Sequence, residues 1–475
     1  VNTLAFVMLA AAATVTSVAA PELRPLRDGT ELFVDDVNIA RRQGVVRRVH
    51  AASKREHPVL VADQPWERGA GVYLYGTTHY NPATGEFRMW YGRQYTTSRD
   101  GLHWVKPALD VEKFQGKPTN FVHPSGSGAI VVDDIEPDPA KRYKALVSEP
   151  IKTGGFSGYY SADGIHWTRY GTNRILTVGS ELGHVMRDPA TRKYFAYIRP
   201  YPPRHFPKNV KEKRLGAVAT SDDFVHWSNM TIVLTPDAVD DAWVTRAEQR
   251  TEFYAMNGFA YGRSYLGIVP IFRITHIHDQ ISKGQSKYDG PMEGQLITSR
   301  DGLAWQRMKE RNPVIPSGPD FDRSIMNVAV APLIVDDELW HYYTAINATH
   351  GAPIPPKRIT IGLAKWRLDG FVSLDAGGDE GIVETTVIGD RTGQLEVNAD
   401  ATSGRLVVEV LDTDGNVLPG YTAAECATLD SNNVRHSVRW TQHTALPADR
   451  LFRLRFRLRN TSLYSYTIAP VASRQ

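Results

Sequence analysis

Four carboxylates in this 475-residue chain stand where an acid could take part in a reaction rather than close a turn. Glu252 interrupts the aromatic, apolar run Glu252-Phe253-Tyr254-Ala255-Met256, where an ionised side chain is costly unless paired or functional. Glu181 sits in the Gly-rich stretch Val178-Gly179-Ser180-Glu181-Leu182-Gly183, just before an expected strand at His184–Arg187. Glu67 follows Trp66, a flat ring beside an acid, and Asp322 closes Gly318-Pro319-Asp320-Phe321 ahead of Arg323. Two carboxyl groups held at a fixed separation can act as proton donor and as base or nucleophile, which is the chemistry of glycosidic bond cleavage. Trp66, His79, Asn120, His184, Arg250, Tyr254, Arg323 and His350 could hold a substrate around them.

Each acid also has a structural reading. Arg246 or Arg250 could pair Glu252, Asp322 could serve a turn or an arginine, and Trp66-Glu67 could lie on an ordinary domain surface. Asp133 and Asp134, Asp188, and Asp336 and Asp337 precede hairpin turns, where carboxylates cap turn amides. Asp35 and Asp36, in an early strand-turn, are read as structural residues that close the ring.

The elements that position these residues show in the composition. The chain holds 10 Trp, 21 Tyr and 16 Phe beside 38 Gly and 29 Pro, the balance of an all-β protein with short strands and many turns. A net charge of +3 lacks the basic excess of a nucleic-acid protein. One cysteine, Cys426, excludes an intrachain disulfide framework and any multi-cysteine metal site. Leu4–Val18 is an Ala-rich apolar run ending in small residues, so residues 1–20 are expected to be a signal peptide and the protein exported, periplasmic or extracellular. No later segment is a transmembrane candidate, so no membrane partner is expected after cleavage.

A heptapeptide recurs along the chain: Ser98-Arg99-Asp100-Gly101-Leu102-His103-Trp104, then copies at Ser161–Trp167, Ser221–Trp227 and Ser299–Trp305, and a degenerate Arg367-Leu368-Asp369-Gly370-Phe371. The Asp-Gly pair makes a tight turn with positive φ, the Ser and Asp satisfy turn amides, and the Trp fills the gap between neighbouring sheets. Two expected strands precede the first copy and three each later one, which predicts a five-bladed β-propeller over residues 21–378. Beyond Gly377-Gly378 the pattern changes to alternating strands without the turn motif, predicting a β-sandwich over 379–475.

Leu32-Phe33-Val34-Asp35-Asp36, Phe87-Arg88-Met89-Trp90-Tyr91, Arg142-Tyr143-Lys144, Glu252–Met256, Leu368–Gly377 and Leu463-Tyr464-Ser465-Tyr466 carry a resemblance. The chain resembles the five-bladed propeller glycosidase superfamily, and most closely exported bacterial proteins similar to glycoside hydrolase families 32 and 43. The resemblance implies catalytic carboxylates at the axial ends of inner strands. On that basis Glu252 or Glu181 is the expected proton donor, and Glu67 or Asp322 the base or nucleophile. His184, Arg250 and His350 would hold hydroxyls or a carboxylate of an oligo- or polysaccharide, cleaved from its ends. The invertase motif Trp-x-Asn-Asp-Pro-Asn-Gly is absent, so fructosidase specificity is not implied. Rival readings are a lyase for uronate-containing glycans, using His184, Tyr254 and Arg250, and a propeller that binds sugar without cutting it.

No cofactor is expected, since no phosphate loop, nucleophile elbow or dinucleotide fingerprint is present. His276-Ile277-His278-Asp279 lacks a third placed ligand and is assigned no metal. The alternating run Arg450–Arg459 reads as a sandwich strand with one wet face, or as an arginine row for an anionic glycan.

Overall fold

The computed structural model describes residues 27, 29–67, 71–81, 83–122, 128–148, 155–177, 181–200, 213–282, 284–389, 391–448 and 450–469. The expected signal peptide at 1–20 lies outside them. The protein is an all-β propeller with a β-sandwich, and among the described residues the single helical element is a 3-10 turn at Pro139–Lys141.

Among the described residues, five antiparallel sheets of three or more strands lie outside the sandwich and follow one another along the chain. The first holds Thr78–Asn81, Glu86–Tyr91 and Gln94–Ser98, and the second runs from Gly128–Val132 through Tyr143–Ser148 and Phe156–Ser161 to Thr168–Arg169. The third holds Glu181–Arg187, Tyr194–Arg199, Gly216–Ser221 and Thr231–Leu234. The fourth is built on Arg250–Phe253, Ser264–Ile274, Met292–Ser299 and Trp305–Arg307. The fifth takes Ser324–Val328, Glu338–Ile346 and Ile359–Arg367, then adds Ser53–Lys54 from the start of the chain. Middle strands such as Glu338–Ile346 are buried on both faces after their first residue, because each sheet is sandwiched between two others. Such strands therefore read as apolar runs rather than as alternation.

Apolar clusters seal each sheet to the next in cyclic order. Trp90 and Tyr95 pack on Ile130 and Tyr143, Val131 on Val185 and Tyr194, and Tyr197 on Phe253 and Trp305. Leu266 and Ile268 then pack with Ile325 and Tyr343, and Trp340 and Tyr342 return to Phe87 and Met89. The last contact closes the ring. One expected element differs: of Val72–Tyr80, only Thr78 onward is a strand of its own sheet. The Val72 N–H donates to the Ile359 carbonyl at 3.0 Å and the Leu74 N–H to Thr344 Oγ1 at 2.9 Å, so this segment is held by the fifth sheet instead.

The heptapeptide turns are structural. In the second copy Ser161 Oγ accepts from the Gly164 N–H at 2.9 Å, and Asp163 Oδ1 accepts from the Ile165 and His166 N–H groups at 2.8 Å. Burial raises the Asp163 carboxyl, but these bonds and the His166 ring outweigh it and hold the group at about 2. The preceding sheet reaches across: the Trp90 Nε1–H donates to the Gly164 carbonyl at 2.7 Å, and Tyr342 Oη to that of Gly101 at 2.7 Å. Gly164 has φ +78°, and a Cβ there would meet a Trp90 ring carbon at 2.6 Å. Gly164→Ala should thus cost about 2–4 kcal/mol in urea unfolding, from a left-handed backbone plus overpacking. Gly116, at φ +80° with nothing within 4 Å, provides the contrast. Gly116→Ala should cost about 1–2 kcal/mol, and equal losses at the two sites would refute the packing argument.

The sandwich departs from the expected boundary. Thr30–Leu32 and Val45–Val49 join Val372–Ala376, Thr461–Ala469, Gln394–Asp400 and Asn432–Ser437 in one sheet. Ile39–Gln43 joins Gly381–Thr385, Arg453–Arg459 and Arg405–Leu411 in the other. Residues 30–49 and 372–376, expected within the propeller, therefore belong to the sandwich. Its two sheets enclose Phe33, Val397, Val408, Leu454 and Phe456.

Candidate active site

Inner strands begin at one end of the ring and turn back at the other, so side chains near their starts share one mouth. On the fourth sheet Glu252, 1% exposed, lies in the innermost strand Arg250–Phe253. Its Oε1 accepts from Arg250 Nε at 2.7 Å, and its Oε2 is paired with Arg214. Both guanidinium groups stack on the Tyr288 ring, and Arg214 also lies over Tyr254 and Phe272. A carboxylate gripped on both oxygens is positioned firmly and kept dry. Arg250 was expected as a partner, whereas Arg246 instead faces Glu248.

Beside this triad His350 Nδ1 donates to the Tyr288 carbonyl at 2.9 Å, leaving Nε2 to accept from the Tyr254 hydroxyl at 3.1 Å. Burial, then the charges of Arg214 and Lys357, push the His350 pKa down to about 4, so the ring is neutral near pH 7. His341, fully buried and bonded to the Ala329 carbonyl at 2.9 Å, is likewise pushed down to about 4 by burial. The ordinary value for both is 6.5, so the unfolded chain takes up these protons first as pH falls, and stability rises with pH through this window. Between pH 6.5 and 5 each ring should account for a loss of about 1.5 kcal/mol in urea titrations. His350→Gln should remove its share of that slope, and an unchanged slope would refute the assignment.

The first sheet brings Trp66, Glu67 and Asn120 together. Glu67 Oε2 accepts from the Asp63 and Gln64 N–H groups at 3.0 Å and from Lys106 Nζ at 2.7 Å, and Oε1 from Tyr91 Oη at 2.8 Å. Asn120 accepts from Trp66 Nε1 at 2.7 Å and donates to Tyr91 Oη at 2.7 Å. Glu67 is thus the clasp of its own loop, with four donors on its two oxygens. Trp66, Glu67, Tyr73, Tyr75 and Gln94 line a cleft of ≈ 300 Å³. Tyr73 and Tyr75 stack with ring centroids 5.9 Å apart and pack against the same apolar cluster, around Phe272, as Tyr254 and Tyr288 of the triad's surroundings. Burial, then the neighbouring Tyr254, push the Tyr73 hydroxyl up to about 12.

Other expected site residues fall elsewhere. His184 is fully enclosed along the inner strand and bridges the carbonyls of Met256 at 3.0 Å and Val328 at 2.8 Å, a tie among three sheets rather than a substrate contact. Asp322 accepts from Lys54 Nζ at 2.6 Å and Tyr343 Oη at 2.9 Å, fastening the strand that closes the ring. Arg323 is exposed and donates to the Pro319 carbonyl at 3.0 Å. His79 lies 3.8 Å from Asp134, in the turn between first and second strands of the next sheet, away from the mouth. Glu181 opens the inner strand Glu181–Arg187 of the third sheet, and its side chain lies outside what the structure describes. Arg214, Tyr73, Tyr75 and Tyr288 were missed. Tyr73-Leu74-Tyr75 carried a signal, two rings on one face of an extended run, but Arg214 carried none.

No family model matches the chain, and no curated protein does. Among solved structures it is similar to an N-acetylgalactosamine deacetylase from F. plautii in complex with blood group B trisaccharide, at 13% identity and TM-score 0.36, over 74% of this chain and 96% of that one. It is similar to a Bombyx mori GH32 β-fructofuranosidase at 9% identity and TM-score 0.40, over 87% and 96%. A glycosyl hydrolase from Bacteroides ovatus gives 14% identity and TM-score 0.41, over 68% and 97%. What this chain does has to be read from its own side chains.

Proposed function

We propose that the chain is an exported glycoside hydrolase that trims an oligo- or polysaccharide from its ends, with its active site at the mouth to which the first, third, fourth and fifth sheets contribute. The observation that carries this reading is a ring-lined cleft whose tyrosines pack on the same apolar cluster as Tyr254, beside a buried carboxylate. Trp66, Tyr73 and Tyr75 line the cleft. Rings of this kind take the C–H faces of sugars, while arginines and an acid address hydroxyls and the reacting bond. In this proposal Glu252, ion-paired on both oxygens, acts as the ionised carboxylate, base or nucleophile. Glu181, whose strand begins at the same end, is the proton donor. A propeller funnel with long loops makes a pocket for chain ends more easily than an open groove for chain interiors.

A second reading has one specific observation behind it. Tyr254 donating to a neutral His350, next to two arginines, is a proton relay that could abstract a proton beside a uronate carboxylate. Incubation with a panel of neutral and uronate-bearing glycans separates the readings by product mass. Hydrolysis adds one water to the products, whereas elimination adds none and leaves an unsaturated, ultraviolet-absorbing end. Binding without any product would overturn both in favour of a lectin-like role.

A further inference from the structure

The arginine strand of the sandwich resolves into served and unserved side chains. Leu454, Phe456 and Leu458 point into the core, so the alternation is that of a half-wet strand. On its outer face Arg455 lies between Glu384 at 2.7 Å and Glu409 at 3.2 Å, and Arg457 reaches Glu380 at 2.6 Å. Arg453 donates to the Thr413 carbonyl at 3.0 Å. Arg459 likewise has only a carbonyl, its Nε reaching that of Gly378 at 2.6 Å, with no carboxylate partner among the described residues; unlike Arg453 it borders a cleft. Directly opposite in the ladder stands Arg405, exposed and, among the described residues, also without a carboxylate.

Two like charges facing each other across an antiparallel pair repel and destabilise the sheet. Elsewhere on this face glutamates are placed to relieve that repulsion. Here the two guanidinium groups instead border a cleft of ≈ 460 Å³, shared with Arg457, Glu380, Thr428 and Ala424. A pair of forks left open on one side of a cleft matches a planar carboxylate or a sulfate, either of which can accept from both.

We propose that this cleft is a second binding site, separate from the propeller mouth, for the anionic groups of a polysaccharide: sulfate esters or uronate carboxylates. The choice of a polysaccharide among anions rests on the glycan-acting reading of the mouth. The charge argument does not. Bound there, a polymer would be held on the sandwich while its end is worked on elsewhere.

Affinity electrophoresis of the full chain in gels containing dextran sulfate, polygalacturonate or neutral dextran tests it, with double-stranded DNA as a non-glycan polyanion. The wild type should be retarded by at least one of the two anionic glycans and not by dextran. Retardation by dextran sulfate alone assigns sulfate, and by polygalacturonate alone assigns carboxylate. The Arg405→Ala/Arg459→Ala double variant should bind about tenfold more weakly, and Arg453→Ala should bind like the wild type. The double variant should melt no lower than the wild type, because a repulsion has been removed. Equal affinity in the double variant, or equal loss in Arg453→Ala, would overturn the site. Binding of DNA as tight as that of either glycan would reduce it to general polyanion attraction. None of these outcomes depends on cleavage, so an inactive mouth and an empty sandwich cleft are distinguished.

Discussion

Glu252→Gln should lower turnover about 10³-fold on whichever glycan the protein cleaves, while leaving it able to bind that glycan. The amide has the shape of the acid but no charge, so it cannot act as base or nucleophile. It also places an NH₂ group against one of the guanidinium groups that now grip both oxygens. Breaking a buried ion arrangement from one side costs about 3–5 kcal/mol, so the variant should be less stable as well as slow. The two effects separate in measurement: kcat is taken per folded molecule at a temperature well below the melting transition, and stability by urea titration. A fall in kcat with KM near the wild-type value supports the role given to Glu252. Turnover within threefold of wild type, with stability lost, would leave Glu252 as a structural link between Arg214 and Arg250 and return the chemistry to Tyr254 and His350. Tyr254→Phe reports on that alternative, since it removes only the hydroxyl that His350 accepts from.

How far the residues could be read in advance follows the distance to their partners. The Ser-x-Asp-Gly turns were legible because every bond that defines them falls within seven residues, as Asp163 with Ile165 and His166 shows. The propeller sheets were legible too, since apart from Ser53–Lys54 their main strands pair with the next main strand along the chain. Glu67 was not, because what occupies it are Tyr91 and Lys106, brought back by the first sheet. His184 reads as a site residue in an inner strand, and only its neighbours at Met256 and Val328, 72 and 144 positions away, show it to be a tie between sheets. The strands at 30–49 alternate charge and apolar residues in a way that suits either unit. Their place in the sandwich is decided by pairing with Val372–Ala376, Gly381–Thr385 and Thr461–Ala469. Glu252 was half legible: an acid in an apolar strand announces a partner or a function, and here Arg250 is near in sequence while Arg214 is not.

Asp322→Ala should destabilise the fold by about 3–5 kcal/mol and leave kcat unchanged in the folded fraction. Its carboxylate sits 268 positions from Lys54 and joins it at 2.6 Å, and Lys54 also donates to the Pro316 carbonyl at 2.6 Å. Lys54 lies in the two-residue strand Ser53–Lys54, whose pairing with Ala364 and Lys365 supplies the outer strand of the fifth sheet. The Arg55, Val59 and Val72 N–H groups extend that pairing along Leu363, Ile361 and Ile359, and the buried ion pair, with the Tyr343 hydroxyl on the same oxygen, is the side-chain anchor of the junction. Removing the acid strands an ammonium group that is mostly enclosed, which is where the penalty arises. Lys54→Met, which removes the charge and keeps the length, should also destabilise by leaving Asp322 unpaired. The double variant Asp322→Ala/Lys54→Met should lose less than the sum, since no buried charge remains in it. Additive losses would deny the coupling. A large fall in kcat in Asp322→Ala, with the fold intact, would restore this residue to the active site and refute its role as the lock of the ring.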